Sequence, residues 1–504
     1  MNFLSDIFLY KQDAPLLFTR LYFWGFLLIG LAVYSIIYKR RGLRNSYLFL
    51  ISLFFYYKTS GLFFLLLIFA TLSNYLIGLG MHQFGSKAWK KVMVALSVLI
   101  NLGVLSYFKY AYFFTSTFNQ AFNTDLEVVN YLALWSNQVS GSHFDASVIF
   151  LPVGISFFTF QTISYAVDVY RKKCQPVRNI VDFGFYVSFF PQLVAGPIVR
   201  ASEFVPQLYA KYSLNRQEFG FALWMIMKGL FKKMVLGDYL AVNFIDRIFD
   251  APTLYTGFEN LMALYGYSLQ VYCDFSGYTD IAIGVALLFG FRLPRNFNSP
   301  YKAVNLGDFW RRWHISLSSW LKDYLYIPIG GNRKGKLRTN INLMITMLLG
   351  GLWHGADMKF IIWGGLNGIG LIVYKFWKKI SPYEYKKNIF VHAWKIFLTF
   401  NFITFTRIWF RADDMDRVRA MLFQLWHNMD IGVVPQVFLS YKFVFGILIF
   451  GYLLHWWPSK WKDSYMNWFI RIPHWVKVII IVILVFLIYQ TQTSDLQPFI
   501  YFQF

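Results

Sequence analysis

Charge is what this 504-residue chain has least of. Only 14% of its residues are Asp, Glu, Lys or Arg, about half the share of a soluble domain. Acids are scarcer than bases, 25 against 48. Two cysteines, Cys174 and Cys273, lie far apart and form no metal or redox motif. No HExxH or CxxC sequence and no complete P-loop occurs, so the zinc-hydrolase and P-loop nucleotide patterns are excluded. No long polar stretch, low-complexity tract or internal repeat interrupts the chain, which reads as a single polytopic membrane domain over 1–504. The start has neither a basic n-region nor a small-residue cleavage site, so no removed signal peptide is expected.

What is abundant is apolar: 57% hydrophobic residues and 21% aromatic. The Lys and Arg residues sit in short clusters between apolar runs, at 39–44, 87–91 and 171–178, and none occurs from Ala111 to Tyr170. That asymmetry puts the clusters in the cytoplasm and the N-terminus and 116–147 outside. Anionic lipid headgroups account for the net charge of +23 without nucleic acid. The expected fold is all-α, with about 11 transmembrane helices and shorter broken or re-entrant helices around a central cavity.

Three stretches depart from plain spans. Residues 187–208 carry three prolines and a Gly-Pro, so a broken segment bordering a cavity is expected. Lys228, Lys232 and Lys233 follow in a helix over 219–236, where they are expected to snorkel to an interface. Within 261–293, YCDFSGYTDIAIG holds Asp274, Ser276, Tyr278, Thr279 and Asp280. Helical spacing puts Asp274 with Tyr278 on one face and Ser276 with Asp280 on another. Either they line a polar cavity or they form a structural hydrogen-bond knot.

The chain is organised around 308–355, where DFWRRWHISLSSWLKDYLYIPIGGNR is followed, after a basic turn, by NLMITMLLGGLWHG. Trp310, Trp313, His314, Leu317, Leu321 and Tyr324 recur at helical spacing, which predicts one helix over 308–329 with His314 on its apolar face. His354 ends an apolar run among Gly350, Gly351 and Gly355. For either histidine alone, a hydrogen-bonded core residue is an alternative to a catalytic one. The basic, glycine-rich turn GGNRKGKLR is a cytoplasmic loop or a phosphate contact. Arg407, Arg411 and Asp413 are expected to form an ion-paired interface.

FWRRWHISLSSWLKDYLYIPIGGNR and GGLWHG resemble the membrane-bound O-acyltransferase family, in particular its bacterial alginate O-acetyltransferase-like branch. The 148–169 and 187–208 segments, the order of LPRNFNSPY before the core motif, and the closing PFIYFQF are similar as well. The resemblance places the catalytic core in 151–356 and implies a membrane O-acyltransferase. His354 is then the base that activates an acceptor hydroxyl, and His314 positions a substrate or stabilises developing charge. Trp310, Trp353, Asp274, Ser276 and Tyr278 are the candidate substrate-binding residues. The implied donor is a cytoplasmic acyl thioester, acetyl-CoA, with no permanently bound cofactor and no metal. The implied acceptor is a polysaccharide or carrier hydroxyl outside the cytoplasmic (inner) membrane, reached with an extracytoplasmic partner acetyltransferase. A lipid, teichoic-acid or peptidoglycan acyltransferase, a transporter and an export-complex scaffold remain as alternatives.

Overall fold

The computed structural model describes residues 8–11, 15–83, 86–140, 144–194, 196–386, 388–491 and 499. Much of the start and most of the PFIYFQF stretch lie outside them. The protein is 77% helical, with no strand among the described residues. Six described helical stretches are long and apolar enough to cross a membrane, and a seventh is the pair Val434–Ser440 and Lys442–Trp456, bent by 89°. The expected count of about 11 is not reached by that measure. The 148–169 segment forms the shorter helix Ile155–Tyr170, and the helix expected over 219–236 runs from Arg216 to Leu230 and continues as a π-helical stretch.

The chain forms two compact units. The first comprises Met1–Val194, Ile198–Lys211 and Gly355–Asp357. Its main helices are α1 (Leu21–Ile37), α2 (Arg41–Ser60), α3 (Phe64–Gln83), α4 (Lys87–Leu105), α5 (Ala111–Phe122), α6 (Tyr131–Ser140), α7 (Ile155–Tyr170), α8 (Ile180–Ser188) and α9 (Ala201–Tyr209). Nearly all of α7 is buried, and it packs on α3 and α4. Side-chain hydrogen bonds join the three: Ser97 donates to Asn74 (2.6 Å), Asn101 donates to Asn74 (3.0 Å) and Thr162 donates to Asn101 (2.7 Å). Such bonds contribute roughly 0.6–2 kcal/mol each between apolar helices. The 187–208 segment is broken as its prolines predict. After Ser188 only the short turn Phe190–Leu193 forms before α9, which carries Pro206. Gln161 donates to the Tyr186 carbonyl at 2.6 Å, so this polar group of α7 serves the broken backbone.

The second unit comprises Ala195–Pro197, Tyr212–His354 and Met358–Phe504. It holds α10 (Arg216–Leu230), α11 (Gly257–Leu288), α12 (Leu306–Trp310), α13 (Ile315–Trp320), α14 (Gly335–His354), α15 (Met358–Ile380), α16 (Ile389–Arg411), α17 (Met415–His427), α18 (Lys442–Trp456), α19 (Ser459–Arg471) and α20 (His474–Thr491). The 32-residue α11 starts at a capping box of Thr256 and Glu259. It lies against α10 at glycines: a Cβ on Gly277 would come within 2.8 Å of the Gly229 carbonyl oxygen. Small residues of this kind let helix backbones approach.

Candidate active site

The predicted continuous helix over 308–329 is not what forms. α12 ends at Trp310, α13 begins at Ile315, and Leu321–Tyr326 continues as a π-helical turn. His314 stands at the break, in the left-handed region at φ 43°. For a side chain of this size that backbone is costly and needs support from its surroundings. The LPRNFNSPY loop supplies it. The Ile315 N–H donates to the Asn296 carbonyl (2.9 Å), and the Asn298 N–H donates to the Arg312 carbonyl (2.9 Å). The Asn296 Oδ1 accepts from the Ser316 N–H (3.1 Å) and hydroxyl (2.9 Å), and lies 3.3 Å from His314 Nδ1.

That arrangement biases the tautomer. The Ser316 N–H can only donate, so the Asn296 atom facing it is the carbonyl oxygen. An acceptor 3.3 Å away favours the tautomer of His314 with the proton on Nδ1. The His314 ring is wholly buried, with Phe275 edge-on at 4.6 Å and Trp353 at 6.1 Å.

His354 closes α14. This end of α14 is pinned to α15 by glycines, because a Cβ on Gly351 would strike the Phe360 carbonyl oxygen. The close approach brings Trp363 to 5.1 Å from the His354 ring, with Phe410 of α16 at 5.2 Å and Trp353 at 5.0 Å. All three rings meet the imidazole edge-to-face, and His354 is 3% exposed. Trp353 touches both histidines, so the two family motifs converge on one aromatic wall. Trp310 reaches the same wall through Trp363, at 5.8 Å.

The α11 candidates have a different setting. Asp274 is ion-paired with Lys233 at 2.5 Å, and Lys233 also meets Asp238 at 2.7 Å. Lys232 donates to Ser276 (3.0 Å) and pairs with Asp280 (2.7 Å). The Tyr278 ring lies 4.4 Å from that of Phe499, tilted by 39°. The two faces inferred from helical spacing are thus met by different lysines, Lys233 on one and Lys228 with Lys232 on the other. Lys232 and Lys233 do not snorkel; Lys233 is 1% exposed, because it neutralises carboxylates inside the unit. Phe275, between these residues in sequence, connects them to His314. Arg411 pairs with Asp413 (3.5 Å) as expected, and also with Asp246 (2.7 Å), which was not. Arg407 instead lies over the Trp313 ring at 4.5 Å.

Asn296, Trp363, Phe410 and Arg407 were not among the residues expected at the site. Asn296 had a visible signal, in that its Pro- and Asn-rich loop immediately precedes the core motif. Trp363 and Phe410 lie in ordinary apolar runs.

The sequence pattern of the membrane-bound O-acyltransferase family matches residues 177–412, which contain both histidines and all five candidate substrate-binding residues. The chain is 39% identical over 433 residues to a peptidoglycan O-acetyltransferase of Helicobacter pylori, covering 80% of this chain and 78% of that one. It is 38% identical over 402 residues to a probable alginate O-acetylase of Pseudomonas syringae, covering 79% and 72%. A teichoic acid D-alanyltransferase of Bacillus subtilis is 32% identical over 270 residues, 50% of this chain and 67% of the relative. The chain belongs to the membrane-bound O-acyltransferase family and is a multi-pass membrane O-acyltransferase.

Proposed function

We propose that this enzyme moves an acetyl group from acetyl-CoA, a cytoplasmic thioester, to a hydroxyl of an extracytoplasmic polysaccharide or its carrier. The observation that carries the reading is Trp353, whose ring touches both His314 and His354. Relatives named for peptidoglycan and alginate acetylation cover most of the chain, which favours a glycan acceptor over the transporter and scaffold alternatives.

In this reading His354 takes the proton of the acceptor hydroxyl. The oxygen forms a bond to the thioester carbonyl carbon, and the carbon–sulfur bond breaks. The departing thiolate recovers the proton from the His354 imidazolium. Burial of His354 keeps water from competing as acceptor. His314, with Nδ1–H fixed on Asn296, offers Nε2 to orient a substrate O–H or N–H. Trp310 and Trp353 supply the apolar wall for substrate. Asp274, Ser276 and Tyr278 act at one remove, by holding α11 and Phe275. The setting is the cytoplasmic membrane of a bacterium, with membrane lipids around the helices and a separate extracytoplasmic acetyltransferase completing transfer to the polymer.

The test is purified full-length protein with acetyl-labelled CoA and an oligosaccharide acceptor. Label should pass to the acceptor with wild type and not with His354→Ala at matched abundance. Equal transfer by the two proteins would return His354 to the status of a packed core residue.

A further inference from the structure

The second unit contains a cavity of about 740 Å³ whose lining includes neither His314 nor His354. One side is apolar: Trp224 of α10 and Ile480, Ile483 and Leu487 of α20. α20 is itself a candidate membrane span, with only 17% of its apolar window buried. Most of its apolar surface is therefore exposed, so only one helix separates the cavity from an apolar outer face.

The other side is rich in donors. Four cations line it, Lys228, Lys232, Arg295 and Lys462, against the two carboxylates Asp280 and Asp463. Lys228 and Lys232 share the single carboxylate Asp280, at 3.2 and 2.7 Å. Three neutral polar side chains in the lining are also short of partners. His455, 3% exposed, accepts the Tyr301 N–H at Nε2 (3.2 Å). Its Nδ1 is then the protonated nitrogen, and it has no hydrogen-bond partner among the described residues. The Thr279 hydroxyl and the Asn296 amide nitrogen, each on a residue 1% exposed, are in the same position. A buried donor without an acceptor is destabilising. Four cations against two carboxylates leave the lining with an excess of positive charge, which suits a ligand rich in acceptor oxygens and negative charge.

We propose that this cavity binds one anionic glycerophospholipid, its phosphodiester held by the lysines and Arg295, and an acyl chain lying along α20. The apolar wall decides between phosphate-bearing ligands. A short acetyl thioester would leave that wall uncovered, whereas an acyl chain covers it. Asn296 gives the site a further consequence, because the same residue lines the cavity and fixes His314. The bound lipid thus adjoins the support of a candidate catalytic side chain and becomes part of it.

Native mass spectrometry of the purified full chain tests this without any acyl transfer, so its outcome is separate from that of the His354 experiment. The probes are phosphatidylglycerol, phosphatidylcholine with the same acyl chains, and acetyl-CoA. Wild type should hold one phosphatidylglycerol at a concentration about tenfold lower than phosphatidylcholine. Lys228→Gln with Lys462→Gln should abolish that preference, each lysine being worth about fivefold toward an anionic headgroup. Lys232 remains to pair with Asp280 in that variant. Ile483→Trp, on the exposed helix α20, should weaken both lipids by filling the apolar side. Equal binding of the two lipids by wild type would overturn the proposal, as would a preference that survives the double lysine variant or acyl-chain binding undiminished by Ile483→Trp. Displacement of phosphatidylglycerol by acetyl-CoA would assign the cavity to the donor and overturn it equally.

Discussion

Asp274 and His354 are both polar side chains buried among apolar helices, 4% and 3% exposed, and they are held in opposite ways. Asp274 is charged and spends its charge on Lys233, which a second carboxylate, Asp238, also engages. His354 instead has the rings of Trp353, Trp363 and Phe410 packed edge-to-face around its imidazole. A buried carboxylate without a cation costs several kcal/mol, so its partner is a condition of folding. A neutral imidazole can be buried at far lower cost and still change protonation during a reaction. The difference separates polar residues that hold the unit together from those that chemistry can use.

The sharpest way to break this comparison is to remove the imidazole. His354→Ala should lower transfer by about 10²- to 10⁴-fold, roughly 3–5 kcal/mol of barrier. Detergent-purified protein should remain folded, with its melting temperature close to wild type and its acetyl-CoA binding retained. A variant that unfolds would place His354 with Asp274 on the structural side.

Lys233→Ala should do the reverse. It removes the cation between Asp238 and Asp274, and breaking a buried pair costs about 3–5 kcal/mol. The expected result is a large loss of folded, membrane-inserted protein, read by size-exclusion chromatography and thermal melting. Whatever protein survives should retain its turnover per folded molecule. Normal folding with lost turnover would move the α11 ion pairs from architecture into the reaction.

How these two regions were legible differs as well. The faces of α11 could be read from spacing alone, because Asp274 with Tyr278 and Ser276 with Asp280 follow from helical geometry. Their partners could not be read. Lysines 40 or so residues upstream look like interface residues by the usual snorkelling argument, and only the glycine contacts between α10 and α11 bring them inside. At His314 the periodicity of Trp310, Trp313, Leu317 and Leu321 continued through a break between two helices and concealed it. Periodicity reports which residues share an apolar environment, and a left-handed residue fixed by a distant loop leaves it almost undisturbed. The all-α membrane class and the convergence of both histidine motifs were legible, since composition and motif identity carry them. The two-unit contact pattern rests on long-range packing, for which the chain offers no polar linker as a signal.

A smaller effect sharpens the line between holding and reacting. Asn296→Ala removes the acceptor shared by His314 and Ser316. Transfer should fall about tenfold, roughly 1.4 kcal/mol, as His314 loses its favoured tautomer. His354 is untouched by the change, so a loss as deep as that of His354→Ala would mean that His314 performs the proton transfer instead.

The smallest expected effect on folding falls at Trp310, where the two kinds of role can be told apart in one side chain. Its ring packs on Trp363, while its indole N–H is buried with no hydrogen-bond partner among the described residues. An unpartnered buried donor costs about 1–3 kcal/mol. Trp310→Phe keeps an aromatic ring and removes the donor. If the residue serves packing alone, the lost ring area and the relieved donor nearly offset, and both melting temperature and transfer should stay near wild type. If the N–H serves a substrate oxygen, stability should again be unchanged or slightly higher, but KM should rise about tenfold with the loss of one buried hydrogen bond. The second outcome is expected, because an orphaned donor beside the His354 cage is destabilising unless a ligand takes it. Initial rates across a range of acceptor and donor concentrations decide the matter, and identify which substrate the indole meets. An unchanged KM for both would remove Trp310 from the binding surface and leave it as packing for Trp363.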